Sequence, residues 1–572
     1  MQSGGYRAAS LMSAAAPAHG VAREVARFAA ILAVLLVVHA PALTLPHHWD
    51  ALNRLHNAHT IAAHHLSPFL PPGMTFLDAQ GRPPVLLQLL ALTVFLQPYD
   101  LPAAHVLWLA FAALAVYMTY RLGRDLWHPG VGVVAAVWLA INPLFFAQSE
   151  IIVLEVPLTA LTMAAAVCLV ERRRLLYLVT ASTLVLAKEA GQFALPGLVL
   201  FAWWAAPSGK RWRASAFAAA PFCAFVVWML ACQLKYGWLL HPFGAGFVGV
   251  APGTSVEHGL FLSLAYFGTR LLQVAFWDGN WAMTVLALCG LVVIARRRPG
   301  VLRIGLASVV AVVVYVGYPA ALGMLQSGLQ RFANIAVTGA SIADVWAQLA
   351  QLREEIAVTA GLIVLALPGV RRIDWTDARA WLIGGVIVGY AATFALIRFR
   401  MVRYMLPTYP FVFLVGAAAL WHSVSGSRSR VALVAAAVAW VFVSHYHGTR
   451  AGPGNVLETN LEFREMIAVR RAAATYLEGH ASVRVLGSWP ETMELRFPYE
   501  GYVSQPISIV EDPHVDADVV YVSPQSSDPD LAATLRRAVP GVVLQPLFHV
   551  DRGGKSVDLF RIVRPAAQLD TP

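Results

Sequence analysis

Long apolar runs separated by short polar breaks fill the first three quarters of the chain. Thirteen of them read as helices at 28–43, 101–120, 131–146, 151–170, 175–186, 190–204, 214–234, 281–294, 301–324, 356–367, 381–397, 404–420 and 431–443. A bilayer span takes roughly 20 apolar residues, and a helix keeps all its backbone groups bonded in lipid. Several runs are shorter than that, and the fifth and sixth lie close enough to merge. Two more apolar pieces sit inside loops. One, 84–95, follows Pro83-Pro84, where proline suits a helix start. The other, 260–277, is interrupted by Arg270. Both read as helices that lie in the interface or cap a cavity.

After residue 443 the pattern changes. Residues 461–477 place Phe463, Ile467, Ala474 and Leu477 on one helical face. Short β-type runs follow at 483–486, 519–522, 542–544 and 557–563, and Asp528-Pro529 opens a helix at 531–538. The expected fold class is an α-helical polytopic membrane protein with a small C-terminal α/β domain. Its parts are a cytoplasmic tail, 1–27, a membrane domain, 28–446, and an extracytoplasmic domain, 447–572. The last holds no G-x-G-x-x-G and no P-loop, and reads as a docking or packing module.

Composition agrees with the pattern. Of 572 residues 58% are hydrophobic and 13% charged, where a soluble domain averages about 25% charged. The mean hydropathy is +0.61. The net charge of +10 is read as basic cytoplasmic loops rather than as a nucleic-acid surface. With the N-terminus in the cytoplasm, basic clusters recur on that side: Arg121 and Arg124, Arg172 to Arg174, Lys210 to Arg213, Arg296 to Arg303, Arg371 to Arg379, and Arg428 with Arg430. That alternation puts the 46–102 loop, the 148–155 turn, the 235–280 loop and everything after 443 outside. The first helix reads as retained, because no convincing A-x-A cleavage site follows it. Cys168, Cys223, Cys232 and Cys289 lie in or beside apolar runs, with no zinc or disulfide spacing. One cluster breaks the charge rule: Arg398, Arg400 and Arg403 fall outside, which points to anion binding there.

The order of motifs resembles the GT-C superfamily of membrane glycosyltransferases, and within it the protein mannosyltransferase and aminoarabinose transferase branch. A first span leads to an outer loop with an acidic residue, Asp50. Gly81-Arg82-Pro83-Pro84 follows, then Leu154-Glu155-Val156-Pro157, then Lys188-Glu189-Ala190-Gly191, and late in the chain Arg403-Tyr404-Met405-Leu406-Pro407. The likeness runs from residue 28 to about 410. Asp50 is followed by Ala51 where the branch often has Glu. Glu155 stands for a usual Asp and Arg82 for a usual Lys, and Arg and Lys differ in phosphate geometry. The resemblance implies an inverting transferase with no nucleotide-sugar site. It takes a sugar from a polyprenyl-phosphate carrier and passes it to a lipid, glycan or protein acceptor at the outer face. The lipid bilayer is the expected partner and nucleic acid is not. Arg-rich, Ala-rich composition fits an inner-membrane protein with a periplasmic face.

Within that frame Asp50 is the expected base, which removes the acceptor's proton as phosphate leaves from the opposite face. Its plain alternative is a cap on a helix starting at Ala51. Arg398, Arg400 and Arg403 are expected to hold the donor phosphate. Their alternation aligns them only in an extended segment, and lipid-headgroup contact is the plain alternative. Lys188, deep in an apolar stretch, invites a functional reading, as a phosphate contact or as an ion pair with Glu189 or Glu155. Glu155 is expected to take part in catalysis, by orienting the acceptor, pairing with an Arg or holding a divalent metal. No cofactor is otherwise called for. Glu150 reads as a solvated turn residue. Arg82 is a further phosphate partner, and Tyr404 and Trp49 are expected to bind substrate. Trp49, Trp277 and Trp281, beside Asp278, also suit an interfacial belt. His47, His48, His56, His59, His64 and His65 read as solvated interfacial histidines, since no H-E-x-x-H is present. The rival readings are a transporter or flippase of lipid-linked glycan, a pyrophosphate-linked oligosaccharide ligase of the same fold, and a non-catalytic assembly protein.

Overall fold

A computed structural model describes residues 18–70, 82–98, 101–239, 280, 377–395, 402–423, 428–447, 457–480 and 483–564. The expected spans at 281–294, 301–324 and 356–367, the piece at 260–277, and Arg398, Arg400, Trp277, Asp278 and Trp281 lie outside the described residues.

The apolar runs are helices throughout the described part. The first half gives α1 (Ala18–Val38), α2 (Asp50–Ala63), α3 (Val85–Leu96), α4 (Leu101–Leu126), α5 (Pro129–Ile141), α6 (Pro143–Glu150), α7 (Glu155–Val170) and α8 (Arg174–Val185). Then come α9 (Leu195–Ala205), α10 (Arg211–Ala219), α11 (Phe222–Tyr236), α12 (Ala378–Ala395), α13 (Tyr409–Ser423) and α14 (Arg428–Ser444). By length and composition, three described stretches can cross a membrane: Leu101–Leu126, Ser208–Tyr236 and Val402–Trp421. The α5–α6 pair, bent by 60°, would make a fourth. Thirteen were expected over the whole chain.

The bend corrects one expectation. Residues 131–146 were read as one span, but Pro143 cannot donate to a continuing helix. Asn142 ends α5, and its side-chain oxygen accepts the Phe145 N–H to start α6. The fifth and sixth runs do not merge. Between them the chain leaves α8 at Val185 and re-forms as a 3-10 turn, Glu189–Ala194, before α9. The interface piece after Pro84 is α3, packed on α2.

Helix α7 is the core of the bundle. Every residue from Glu155 to Cys168 is buried, as expected for a helix apolar on all sides. It packs against α4, α8 and the Val402–Thr408 3-10 turn. Small residues set two close crossings, as they do between helices in lipid. A Cβ on Gly132 of α5 would lie 2.2 Å from the Tyr120 carbonyl oxygen of α4. A Cβ on Gly197 of α9 would lie 2.4 Å from the Val386 nitrogen of α12.

Beyond α14 the chain forms α15 (Phe463–Glu478), β1 (Val485–Leu486), α16 (Glu491–Arg496), β2 (Ile509–Val510), β3 (Val519–Val522), α17 (Leu531–Ala538), β4 (Val543–Arg552) and β5 (Lys555–Val563). The sheet order is β2-β1-β3-β5-β4. The β1 strand is parallel to β2 and β3, and β5 is antiparallel to β3 and β4. Phe463, Ile467, Ala474 and Leu477 are all buried, so the expected face of α15 is its packed face. This part sits directly on the first loop. The His47 N–H donates to the Glu500 carbonyl at 2.9 Å. Gly501, at φ +89, lets the chain turn against Pro46 and Leu101.

Candidate functional site

Asp50 is the first residue of α2. Trp49, at φ +53, turns the chain into the helix and contributes no side-chain cap bond. That conformation is costly for a bulky residue. Asp50 therefore does not cap the helix. Its carboxylate turns to two cations. Arg54, one helical turn on, donates from Nη2 to Asp50 Oδ2 at 3.3 Å. Arg403 Nη2 donates to the same oxygen. Oδ1 takes no hydrogen bond from the described residues, and 28% of the side chain stays exposed.

Arg403 lies in the Val402–Thr408 3-10 turn and is 2% exposed. Besides Asp50 it binds Glu458 through Nη1, and its Nε lies 3.9 Å from Glu155 Oε1. Glu155 opens α7, and Lys188 Nζ donates to its Oε1 at 2.6 Å. Of the two partners expected for Lys188, the fold chooses Glu155. Tyr404 lies beneath both cations. Lys188 Nζ is 4.7 Å and Arg403 Cζ 5.7 Å from its ring centroid, within reach of cation–π attraction. Phe394 of α12 stacks on the Tyr404 ring with 5.0 Å between centroids. Three cations and three carboxylates thus meet around Arg403.

Burial pushes the Asp50 carboxyl up. The Arg403 and Arg54 guanidinium groups outweigh that and hold it well below the usual carboxylate range. Asp50 is ionised at any physiological pH.

Arg82 lies beside the cluster, not in it. Its Nε is 3.6 Å from Glu189 Oε1. The Val85 N–H, three residues on, donates to the Leu186 carbonyl. The Arg82–Val85 stretch and the Lys188 motif are therefore neighbours. Trp49 sets its ring edge-on to Trp489 of the C-terminal part, 4.6 Å between centroids. Of the Arg cluster, only Arg403 lies in described residues.

Two expectations are corrected. Glu150 is buried, not solvated. Its Oε1 lies 2.7 Å from His39 Nδ1, and Arg464 of α15 donates to both its oxygens. The turn it ends is covered by the C-terminal part, so the residue is a buried tie. Of the first-loop histidines, His65 is exposed as expected and His64 is half-buried, but the others are packed. His47 and His48 are fully packed. His59 stacks on Tyr499 at 3.8 Å, and His56 Nδ1 is 2.8 Å from the Tyr499 hydroxyl. Glu155 Oε1 is held by Lys188 with Arg403 beside it, and Oε2 is buried without a hydrogen-bond partner among the described residues. Among the described residues no group of three or more His, Cys, Asp or Glu can hold a metal ion.

Sequence reasoning missed Arg54 and Glu458. Arg54 had a signal, the i, i+4 spacing to Asp50 on a predicted loop helix. Glu458 had none. It comes from a three-residue turn, Leu457–Thr459, some 400 residues away.

No protein-family model matches the chain, and no curated protein matches its sequence. Among solved structures it aligns with ArnT from Cupriavidus metallidurans bound to undecaprenyl phosphate. The identity is 15%, the TM-score 0.41, and the cover 95% of this chain and 99% of that one. The apo state of that protein gives 15%, 0.39, and 93% and 97% cover. Arabinofuranosyltransferase AftD from Mycobacteria gives 16% and 0.41, over 96% of this chain and 40% of that one. At these scores the likeness is one of overall course and nothing finer.

Proposed function

We propose that the chain is a membrane glycosyltransferase that moves a sugar from a polyprenyl-phosphate carrier to an acceptor at the outer face of the membrane. One observation carries the reading. Asp50, at the start of α2, is gripped on one oxygen by Arg403 and Arg54, and its other oxygen takes no hydrogen bond from the described residues. A base and phosphate-binding cations within one cluster are what inverting transfer from a phosphodiester needs.

Asp50 Oδ1 accepts the proton of the acceptor's nucleophile. That nucleophile bonds to the anomeric carbon, and the bond from that carbon to the phosphate oxygen breaks with its electrons on the oxygen. Arg403 and Lys188 offset the charge that gathers there. Tyr404 holds both cations in place by its ring face. A carboxylate held so far below the usual range is a weak base. A donor phosphate that shares Arg403 loosens this hold and returns Asp50 toward ordinary basicity. The outer placement of the site and of residues 447–572 is inferred from the alternating basic loops.

The bent α5–α6 pair favours a transporter as a second reading, since broken spans line transport sites. Yet the break at Asn142 is capped locally, and the charged cluster meets the far end of α6, at Gln148, and not the break. The test is transfer by the purified protein from a panel of polyprenyl-phosphate sugars, beside Asp50→Asn. Wild type should consume one donor, and Asp50→Asn should fold and lose about 100-fold or more of turnover. Unchanged turnover in Asp50→Asn would remove the base, and no consumed donor would remove the transferase.

A further inference from the structure

Both terminal nitrogens of Arg403 already hold a carboxylate in this arrangement. Nη2 is on Asp50, Nη1 is on Glu458, and Nε faces Glu155. Among the described residues the cluster is also electrically balanced. Arg403, Arg54 and Lys188 are matched by Asp50, Glu155 and Glu458. A phosphodiester entering this buried place adds one negative charge that no described cation is left to match, which is costly. Exchange for a carboxylate already there avoids that cost.

The three carboxylates are not equally fixed. Asp50 opens a helix and shares it with Arg54. Glu155 lies in the first turn of the buried α7 and is bonded to Lys188. Glu458 stands in a three-residue turn. Its Oε1, like Glu155 Oε2, is buried with no hydrogen-bond partner among the described residues, so the turn and not the bonding sets Glu458 apart. Its backbone carbonyl accepts from Gln148 Nε2 at 2.7 Å. A carboxylate on one arm of a guanidinium occupies the place and mimics the charge of a phosphate oxygen.

We propose that Glu458 is a built-in stand-in for the donor phosphate, a carboxylate brought by the C-terminal segment that closes the Arg403 site until a polyprenyl phosphate displaces it. This rests on the donor reading above and adds its control. The exchange of one anion for another leaves the cluster neutral. It also makes donor entry depend on how the C-terminal part docks, because the turn is tied to α6 through Gln148 and α15 is tied to the same helix through Arg464 and Glu150.

The experiment is direct binding of farnesyl phosphate to the full-length protein in detergent, by calorimetry, for wild type, Glu458→Gln and Gln148→Ala. Glu458→Gln keeps the shape and removes the competing charge. It should bind about tenfold tighter, or about 1.4 kcal/mol, and lower the KM for donor. Gln148→Ala, which loosens the turn and leaves every charge in place, should shift binding the same way by less. It carries the test if Glu458→Gln does not fold. If wild type binds and both folded variants bind equally or more weakly, Glu458 is a strut for Arg403 and the stand-in is wrong. If neither wild type nor variants bind, the donor reading itself fails and this proposal falls with it.

Discussion

Lys188 and Glu155 separate a structural role from a chemical one more cleanly than any other pair in the site. The pair is buried and joined at 2.6 Å. Removing one partner strands the other charge, which costs about 3 kcal/mol or more. Lys188→Met should therefore unfold at a markedly lower temperature. The double variant Lys188→Met, Glu155→Leu should recover most of that stability, since no lone charge remains. Activity should not return with it if Lys188 meets the phosphate. Recovery of both would reduce the pair to packing. At this scale the sequence was a good guide to residue type. A charge in an apolar stretch is costly, so Lys188 stood out. Arg403 stood out because its cluster broke the alternation of basic loops, and Glu155 by its place in the order of motifs. It was a poor guide to burial. Glu150 and the histidines at 47 and 48 look solvated in a polar loop, and only the part of the chain that covers them makes them buried.

Among the elements, the close helix crossings matter most to the site. Helix α12 ends shortly before the Arg403 turn, and its crossing with α9 is set by glycine. A Cβ on Gly197 meets the backbone of Val386 at 2.4 Å, and a Cβ on Gly385 meets Gly197 Cα at 2.6 Å. Backbone cannot step aside as a side chain can. Gly197→Val should thus cost about 1–3 kcal/mol, seen as a lower melting temperature in detergent, with weaker donor binding as Arg403 shifts. A melting temperature equal to wild type would mean that the crossing is slack. The apolar runs foretold nearly every described helix, because apolar length is a local property. The break at Asn142 was missed, although Asn-Pro was there to be read. Strand β2 was missed because two residues, Ile509 and Val510, carry too little pattern; pairing with β1 makes them a strand.

For the molecule as a whole, the C-terminal part lies on the first loop through buried titratable groups, and two of these oppose each other in pH. Burial, with Arg470 nearby, pushes His48 down to about 3, and Asp50 offsets only part of this. The unfolded chain takes up that proton near 6.5, so stability falls as pH drops from there toward 3. Burial pushes Glu491 up to about 7, and Arg470 offsets part of this while Glu494 adds to it. Its unfolded carboxyl ionises near 4.3, so stability falls as pH rises from there to 7. Melting against pH should show His48→Gln losing less than wild type on acidification from 6.5, and Glu491→Gln losing less on the rise to 7. Unchanged slopes would mean that these groups reach water.

By itself the sequence determined what local chemistry can decide. Apolar length selects helices, proline and Asn place their starts, and an isolated charge in an apolar stretch marks a functional position. Lys188 was legible in this way, whereas residues 50, 155, 403 and 404 were picked out by an order of motifs that resembles a known family. Only the tertiary structure decided which charges meet. Asp50 turned from a cap to a partner of Arg403, Lys188 chose Glu155 over its neighbour Glu189, and Glu458 joined them with no signal of its own. The reason is physical. A helix or turn is stabilised by near neighbours and leaves its trace in a short window. An ion pair between residues 50, 403 and 458 depends on three separate elements being packed together, and that packing is written in no single stretch of the chain.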